Sequence, residues 1–168
     1  GCIKTRENHN EISVLILKMP QFSVVRNVLS SEAYRFLQQI IRAHSSSFNL
    51  LELENDGSND SRLPVLCCLF RLADECDISS NRIPPLVLEV IQKFKILPIR
   101  NLNIWKSHLE VEKVFLEETK VVIQTYDEEK AKHWFKKLRK EIKVINKVLV
   151  SYGKPRLTIE PKIVPRPI

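Results

Sequence analysis

Apolar side chains in the first hundred residues recur at helical spacing. Ile12 and Ile16 follow His9 at intervals of three and four residues, and Pro20 ends that segment, as proline does in helices. The clearest helix starts after a serine N-cap at Ser30 or Ser31. Its apolar stripe ends in a histidine and comprises Ala33, Phe36, Leu37, Ile40, Ile41 and His44. The pattern therefore predicts two helices that each carry a histidine on an apolar face.

Residues 45–62 interrupt the helical pattern with serine, asparagine, aspartate and glycine. A polar segment of this length is typical of a lid, a binding loop or disorder. An apolar helix follows over residues 63–77 and carries Asp74 near its end. Pro84 and Pro85 indicate the start of another helix, which runs to about Phe94. The helix of residues 63–77 is apolar almost all round until its end, so we expect it to be buried.

After Pro98 the period changes from helical to strand-like. Residues 108–116 alternate and shift phase at Lys113, as a β-bulge requires, and residues 120–126 form a β-branched strand. Residues 127–150 form a long amphipathic helix, and a last extended segment contains Leu157, Ile159 and Ile163. The sequence therefore predicts a mainly α protein with an α+β appendage. We place the helical segment at residues 1–100 and the β-β-α-β unit at residues 101–168.

Composition places the chain among soluble globular proteins. Its 168 residues are 43% hydrophobic and 28% charged, which excludes disordered and membrane-spanning classes and suffices for a core without disulfides or metals. No secretion signal opens the chain, so we expect a cytoplasmic protein that does not associate with membranes. The cysteines include no CxxC pair, and we expect reduced thiols at Cys2, Cys67, Cys68 and Cys76.

Positive charge is concentrated near the C-terminus. Residues 130–156 hold ten lysines or arginines against the single acid Glu141, a local net charge of +9 in a chain whose total is +7. Such a helix face is usually only solvated surface. The alternative is contact with a nucleic-acid backbone through Lys136, Lys140 and Lys143. We expect nucleic-acid binding to be weak at best.

Polar groups on apolar helix faces are the candidates for chemistry. The chain contains no phosphate-loop, dinucleotide-binding, serine-hydrolase or zinc-protease motif. An aspartate in a buried helix must become neutral, bind a metal or pair with a cation, and Arg71 and Arg82 are the candidate partners of Asp74. Two imidazoles and a carboxylate are suitable metal ligands. His9, His44 and Asp74 therefore form a candidate metal site if their helices converge, although each histidine taken singly is more typical of a hydrogen-bonded structural residue.

Residues 69–83, LFRLADECDISSNRI, resemble the final metal-ligand helix of the HD superfamily of metal-dependent phosphohydrolases. That helix ends in R-[LI]-A-D-x-x-D and is followed by a loop and an arginine. Three further segments resemble elements of the branch found in exopolyphosphatase C-terminal regions and in bacterial HD proteins fused to chaperone-type ATPase modules. They are residues 6–13, with Arg6, His9 and Ser13, residues 40–45 (IIRAHS) and residues 105–108 (WKSH). The resemblance covers most of the chain and implies an HD-like helical segment followed by an appendage.

The resemblance also implies roles for individual residues. Asp74 would be the last metal ligand, and His9 and His44 would be further ligands or would contact the substrate phosphate. A bound Mn, Fe or Mg ion would polarise a phosphoryl oxygen and supply hydroxide. Arg6, Arg82 and Asp77 would bind the substrate or support its site. The implied partners are a phosphorylated small molecule or nucleotide and a longer parent chain with an ATPase module.

The chain departs from the superfamily in containing no His-Asp dipeptide. The missing ligands would lie before residue 1 or have been lost, and we assign no catalytic residue. The sequence therefore predicts a partial or degenerate HD-type phosphohydrolase module that acts on a nucleotide or another phosphoester. The alternatives are a non-catalytic ligand- or partner-binding regulatory module on an HD scaffold and a nucleic-acid-binding protein.

Overall fold

The structure is a computed structural model, and it describes residues 9–55 and 62–166. The described elements of the first part are all helical. They are α1 (His9–Leu17), a 3-10 turn (Pro20–Phe22), α2 (Ser23–Val28), α3 (Ser31–Ala43), a 3-10 helix (Leu50–Asn55) and α4 (Arg62–Cys76). The predicted helices that carry His9 and Asp74 are confirmed, and the third predicted helix ends at Ala43, one residue before His44.

The remaining elements include one small sheet. They are a 3-10 turn (Ser80–Arg82), α5 (Pro85–Lys93), α6 (Ile99–His108), β1 (Val111–Glu117), β2 (Lys120–Thr125), α7 (Glu128–Ser151) and β3 (Thr158–Ile163). The described residues are therefore mainly α-helical with an α+β part, which confirms the predicted fold class. None of the described helices is both long and apolar enough to cross a bilayer.

Tertiary contacts divide the chain into two compact units. The helical unit comprises Gly1–Asp74 and Lys147–Lys154, and the sheet unit comprises Glu75–Asn146 and Pro155–Ile168. The division therefore falls between Asp74 and Glu75, whereas the sequence placed a boundary near residue 100. Helices α5 and α6 belong to the sheet unit.

The sheet has the order β1-β2-β3, with β1 and β2 antiparallel and β2 and β3 parallel. The register shifts between Val111 and Lys113, which confirms the predicted bulge. Helix α7 connects the parallel pair, because such a connection needs a crossover element. A core cluster includes side chains of this helix and of β1 and β2, and it consists of Ile78, Val111, Ile123, Ala131, Trp134, Phe135 and Leu138. The predicted β-β-α-β order is confirmed.

The two sides of α4 differ in burial but not in polarity. The buried side carries Leu63, Cys67, Cys68, Arg71, Leu72 and Glu75. The exposed side carries Leu66, Leu69, Phe70, Ala73 and Asp74. The expectation of a buried helix therefore holds for one side only, because apolar residues on its exposed side obscure the helical period.

Two further expectations are corrected. Residues 99–108 were expected to leave the helical period, but they form α6, with Ile104 packed against the core cluster. Tertiary packing of this kind overrides a weak local pattern. The polar segment after His44 includes a 3-10 helix whose Leu50 and Leu53 are buried. Only its residues 56–61 lie outside the described residues.

Candidate functional site

His9 and His44 contact each other in the helical unit. His9 begins α1 and His44 directly follows α3, and their Nε2 atoms lie 2.6 Å apart. The two rings meet edge to face, with centroids 4.7 Å apart. Two of the three predicted ligands are therefore adjacent across 35 residues of sequence.

The hydrogen bonds determine which nitrogen of His44 carries hydrogen. Nδ1 of His44 contacts the carbonyl oxygen of Ile41, and a carbonyl can only accept. Neutral His44 therefore carries its hydrogen on Nδ1 and presents a lone pair at Nε2. In the neutral pair, Nε2 of His9 must donate to Nε2 of His44.

Contacts around the pair hold α1 against α3. The Arg42 guanidinium lies 3.1 Å from the Glu11 carboxylate, and the buried Asn10 side chain donates to the carbonyl of Arg42 at 3.3 Å. On the other side, the Phe70 ring meets the His44 ring edge-on at 6.2 Å. The His44 ring is therefore oriented by a backbone carbonyl, an imidazole and a phenyl ring.

Arg71 is a structural residue of this site, and its role differs from the ion pair with Asp74 that the sequence indicated. Its side chain is 1% exposed and donates to the carbonyls of Phe48 at 3.0 Å and Ser46 at 3.2 Å. These carbonyls belong to the segment that directly follows His44. The signal in the sequence is the position of Arg71, three and four residues after Cys68 and Cys67 on one helix face. Arg71 therefore anchors the segment after His44 rather than pairing with Asp74.

Asp74 lies on the exposed side of α4, one helical turn beyond Phe70. Its carboxylate is therefore not buried, contrary to the expectation, and needs no compensating partner. Neither expected ion-pair partner binds it, since Arg71 holds backbone carbonyls and Arg82 holds Asp77. Within residues 9–55 and 62–166, Asp74 makes no hydrogen bond or ion pair.

The described donors do not by themselves fit a catalytic metal ion. Catalytic sites for Zn, Fe or Mn typically use three protein ligands, and Mg prefers oxygen. In the described part of the chain, no three His, Cys, Asp or Glu side chains lie close enough to hold a metal ion. In the structure His9 contacts His44. Asp74 forms no hydrogen bond or ion pair with either histidine within the described residues.

The expected substrate-binding residues are divided between the units. Asp77 and Arg82 lie in the sheet unit and pair with each other, since Arg82 Nη1 lies 3.3 Å from the Asp77 carboxylate and donates to the Asp77 carbonyl at 2.6 Å. Both residues are exposed. Arg6 lies outside the described residues. The 3-10 turn after α4 brings Arg82 to Asp77. The contacts between the two residues are therefore explained by the local fold, and they require no bound ligand.

The candidate nucleic-acid residues Lys136, Lys140 and Lys143 are exposed on α7. Within the described ranges, none of these three lysines has an acidic partner. Lys137 differs from them, because its ammonium lies 2.6 Å from the buried Glu75 carboxylate and over the Trp134 ring. On α7, Lys136, Lys140 and Lys143 therefore carry positive charge that no described acid compensates. Lys137 instead packs on Trp134 and pairs with Glu75.

Comparison with known proteins finds one family. The model of the HD-CE family matches residues 4–150 of the chain, a range that contains both histidines of the pair, α4 and most of α7. No curated protein and no solved structure is found to match the chain.

Proposed function

The chain belongs to the HD-CE family, and on that premise we propose that it is a degenerate HD-type phosphohydrolase module. It binds a nucleotide or another phosphoester at the His9–His44 pair. The observation that carries this proposal is the 2.6 Å contact between the two Nε2 atoms. Because the described residues supply two metal ligands and not three, the proposal is for binding without turnover.

The chemistry of the pair suits a phosphate group. A neutral pair has one hydrogen between its two Nε2 atoms, whereas a pair in which both rings are protonated carries a hydrogen on each Nε2. Two such N–H groups repel each other unless an anion lies between them. A phosphate oxygen accepts charge-assisted hydrogen bonds from both rings. The carbonyl of Ile41 keeps the His44 ring oriented while the His9 ring moves to admit the phosphate.

The test follows the imidazole signals by NMR, since the chain has four histidines. Adenosine 5′-monophosphate and inorganic phosphate, added to the full chain, are expected to shift the His9 and His44 signals, whereas adenosine leaves them in place. The His44→Ala variant is expected to lose the response at His9. The His133→Ala variant is the matched control, because it removes an imidazole from the sheet unit and retains the response.

The second part of the experiment measures hydrolysis of bis(p-nitrophenyl) phosphate with added Mn²⁺. We expect rates at background for the parent chain and for the His44→Ala and Asp74→Ala variants. Turnover that both substitutions abolish would instead identify an active metal-dependent phosphohydrolase with a completed site. An absence of any phosphate-dependent change at His9 and His44 would contradict the binding proposal.

We also infer a cytoplasmic setting from the cysteines. Cys67, Cys68 and Cys76 are free thiols, and two of them are buried. Reducing compartments maintain such thiols, whereas secreted domains of this size commonly use disulfides. Fractionation of cells that express the tagged chain tests the inference, and recovery from an oxidising compartment would contradict it.

A further inference from the structure

A cleft opens between α6 and α7 in the sheet unit. It has a volume of about 570 Å³. Arg100, Asn103 and Ser107 line it from α6, at positions three and four residues apart that share one helix face. Glu129, Lys130 and His133 line it from α7. The cleft therefore collects a guanidinium, an amide and an imidazole from two elements that are separate in sequence.

Ion pairs at the rim leave Arg100 as the uncompensated charge of the cleft. The Glu129 carboxylate lies 3.1 Å from the Lys132 ammonium, and the Lys130 ammonium lies 3.2 Å from the Asp127 carboxylate. Within the part of the chain that the structure describes, Arg100 has no acidic partner. The cleft consequently presents the positive charge and the N–H donors of the Arg100 guanidinium.

The environment of His133 also indicates a positive potential. Burial lowers the pKa of the His133 imidazole, and the positive charges of Lys137, Arg100 and Lys136 lower it further. An anion between Arg100 and His133 would remove part of that repulsion. Binding of an anion should therefore raise the pKa of His133.

We propose that this cleft binds the phosphate group of a small phosphomonoester between Arg100 and His133. Arg100 contacts two phosphate oxygens through its planar guanidinium, as arginine does in bidentate phosphate recognition. His133 donates to a third oxygen, and Asn103 supplies an amide donor. The site lies on residues other than the His9–His44 pair and does not depend on the proposed function.

Two features of the cleft favour a terminal phosphate over a nucleic-acid strand. At its α7 end, Glu128 adds a carboxylate to those of Asp127 and Glu129, which the rim ion pairs neutralise, and it would repel a phosphodiester backbone that continued past the cleft. Ile99 and Ile104 line the same cleft and offer an apolar surface to the organic part of a small ligand. A single dianionic group with an attached apolar moiety fits this arrangement.

The experiment titrates the full chain with inorganic phosphate, adenosine 5′-monophosphate, adenosine and a ten-residue oligothymidylate without terminal phosphates. The readout is the His133 imidazole signal and its pKa. Phosphate and the monophosphate are expected to give saturable shifts and to raise the pKa of His133, whereas adenosine is expected to do neither. The Arg100→Gln variant should bind about tenfold more weakly or worse, since it loses the charge-assisted hydrogen bonds of the guanidinium to the phosphate.

Lys106→Gln is the matched control, because it removes one positive charge from an exposed position of α6 that does not line the cleft. It should bind phosphate within about twofold of the parent chain, since an exposed charge that does not contact the phosphate is largely screened. Arg100→Lys, which retains the charge but not the planar fork, should bind at an intermediate level. Circular dichroism establishes that each variant is folded.

Three results would overturn the proposal. They are the absence of a saturable shift at His133, equal weakening by Arg100→Gln and Lys106→Gln, and tighter binding of the oligothymidylate than of the monophosphate. The last result would indicate a nucleic-acid surface along α7. Because His9 and His44 give separate signals, failure at His133 is distinguishable from failure at the histidine pair.

Discussion

Replacement of Arg71 by methionine tests whether a buried guanidinium holds the segment after His44. Methionine has a similar length and no charge, so the Arg71→Met variant removes the hydrogen bonds to Phe48 and Ser46 while filling most of the space. Arg71 is 1% exposed and its two donors lie 3.0 and 3.2 Å from those carbonyls. The substitution therefore leaves the two carbonyl oxygens without their guanidinium donors.

The magnitude follows from these two bonds. Each hydrogen bond from a charged donor contributes about 1.5–3 kcal/mol. Part of this is offset because methionine avoids the cost of burying a charge, so we expect a net loss of about 2–4 kcal/mol in the free energy of unfolding. With a urea m-value of about 2 kcal/mol/M, the unfolding midpoint should fall by about 1–2 M.

The assay must report on the helical unit. Both tryptophans, Trp105 and Trp134, lie in the sheet unit, so far-ultraviolet circular dichroism and amide exchange near Phe48 are the appropriate readouts. Arg42→Met is the matched control, because Arg42 forms an ion pair at partly exposed positions. Such pairs contribute about 1 kcal/mol or less. Equal midpoints for the two variants would refute the assignment of Arg71 as an anchor.

The burial of two cysteines and of one histidine gives two further predictions. Burial raises the pKa of Cys67 and of Cys68 to about 12, so iodoacetamide at pH 8 should leave both unmodified in the native chain and modify them in urea, as measured by mass spectrometry. Modification of the native chain at the rate of a free thiol would contradict this. Burial lowers the pKa of His108, so the unfolded state binds more protons and stability should fall as the pH drops through about 6.5. Tryptophan fluorescence in urea at pH 7.5 and 5.5 measures the effect, which His108→Gln should reduce, and an unchanged pH dependence in that variant would exclude His108 as the cause.

Interactions between neighbours in sequence were predictable. Ser30 accepts from the amide of Ala33 as an N-cap. Gly153 has a φ of 66° after the last helix, and the amide of Lys154 donates to the carbonyl of Leu149, which is the Schellman arrangement that glycine favours. The phase shift near Lys113 indicated the bulge. These features depend on a few consecutive residues, so the sequence contains the whole signal.

Contacts between distant residues required the tertiary structure. The apposition of His9 and His44 depends on how α1 packs against α3, and the cleft containing Arg100 and His133 depends on how α6 packs against α7. The sequence indicated that both histidines lie on apolar faces, but it contained no motif that drew attention to Arg100 or His133.

Helix α4 shows the physical reason for this difference. Its period is helical, yet Phe70 and Asp74 face outward while the charged Arg71 and Glu75 face inward. Hydrophobicity predicts burial only when one side of a helix is distinctly more apolar than the other. Where both sides are apolar, the segments that pack against the helix determine which charges are buried, and they lie far away in the sequence: Phe48 for Arg71 and Lys137 for Glu75.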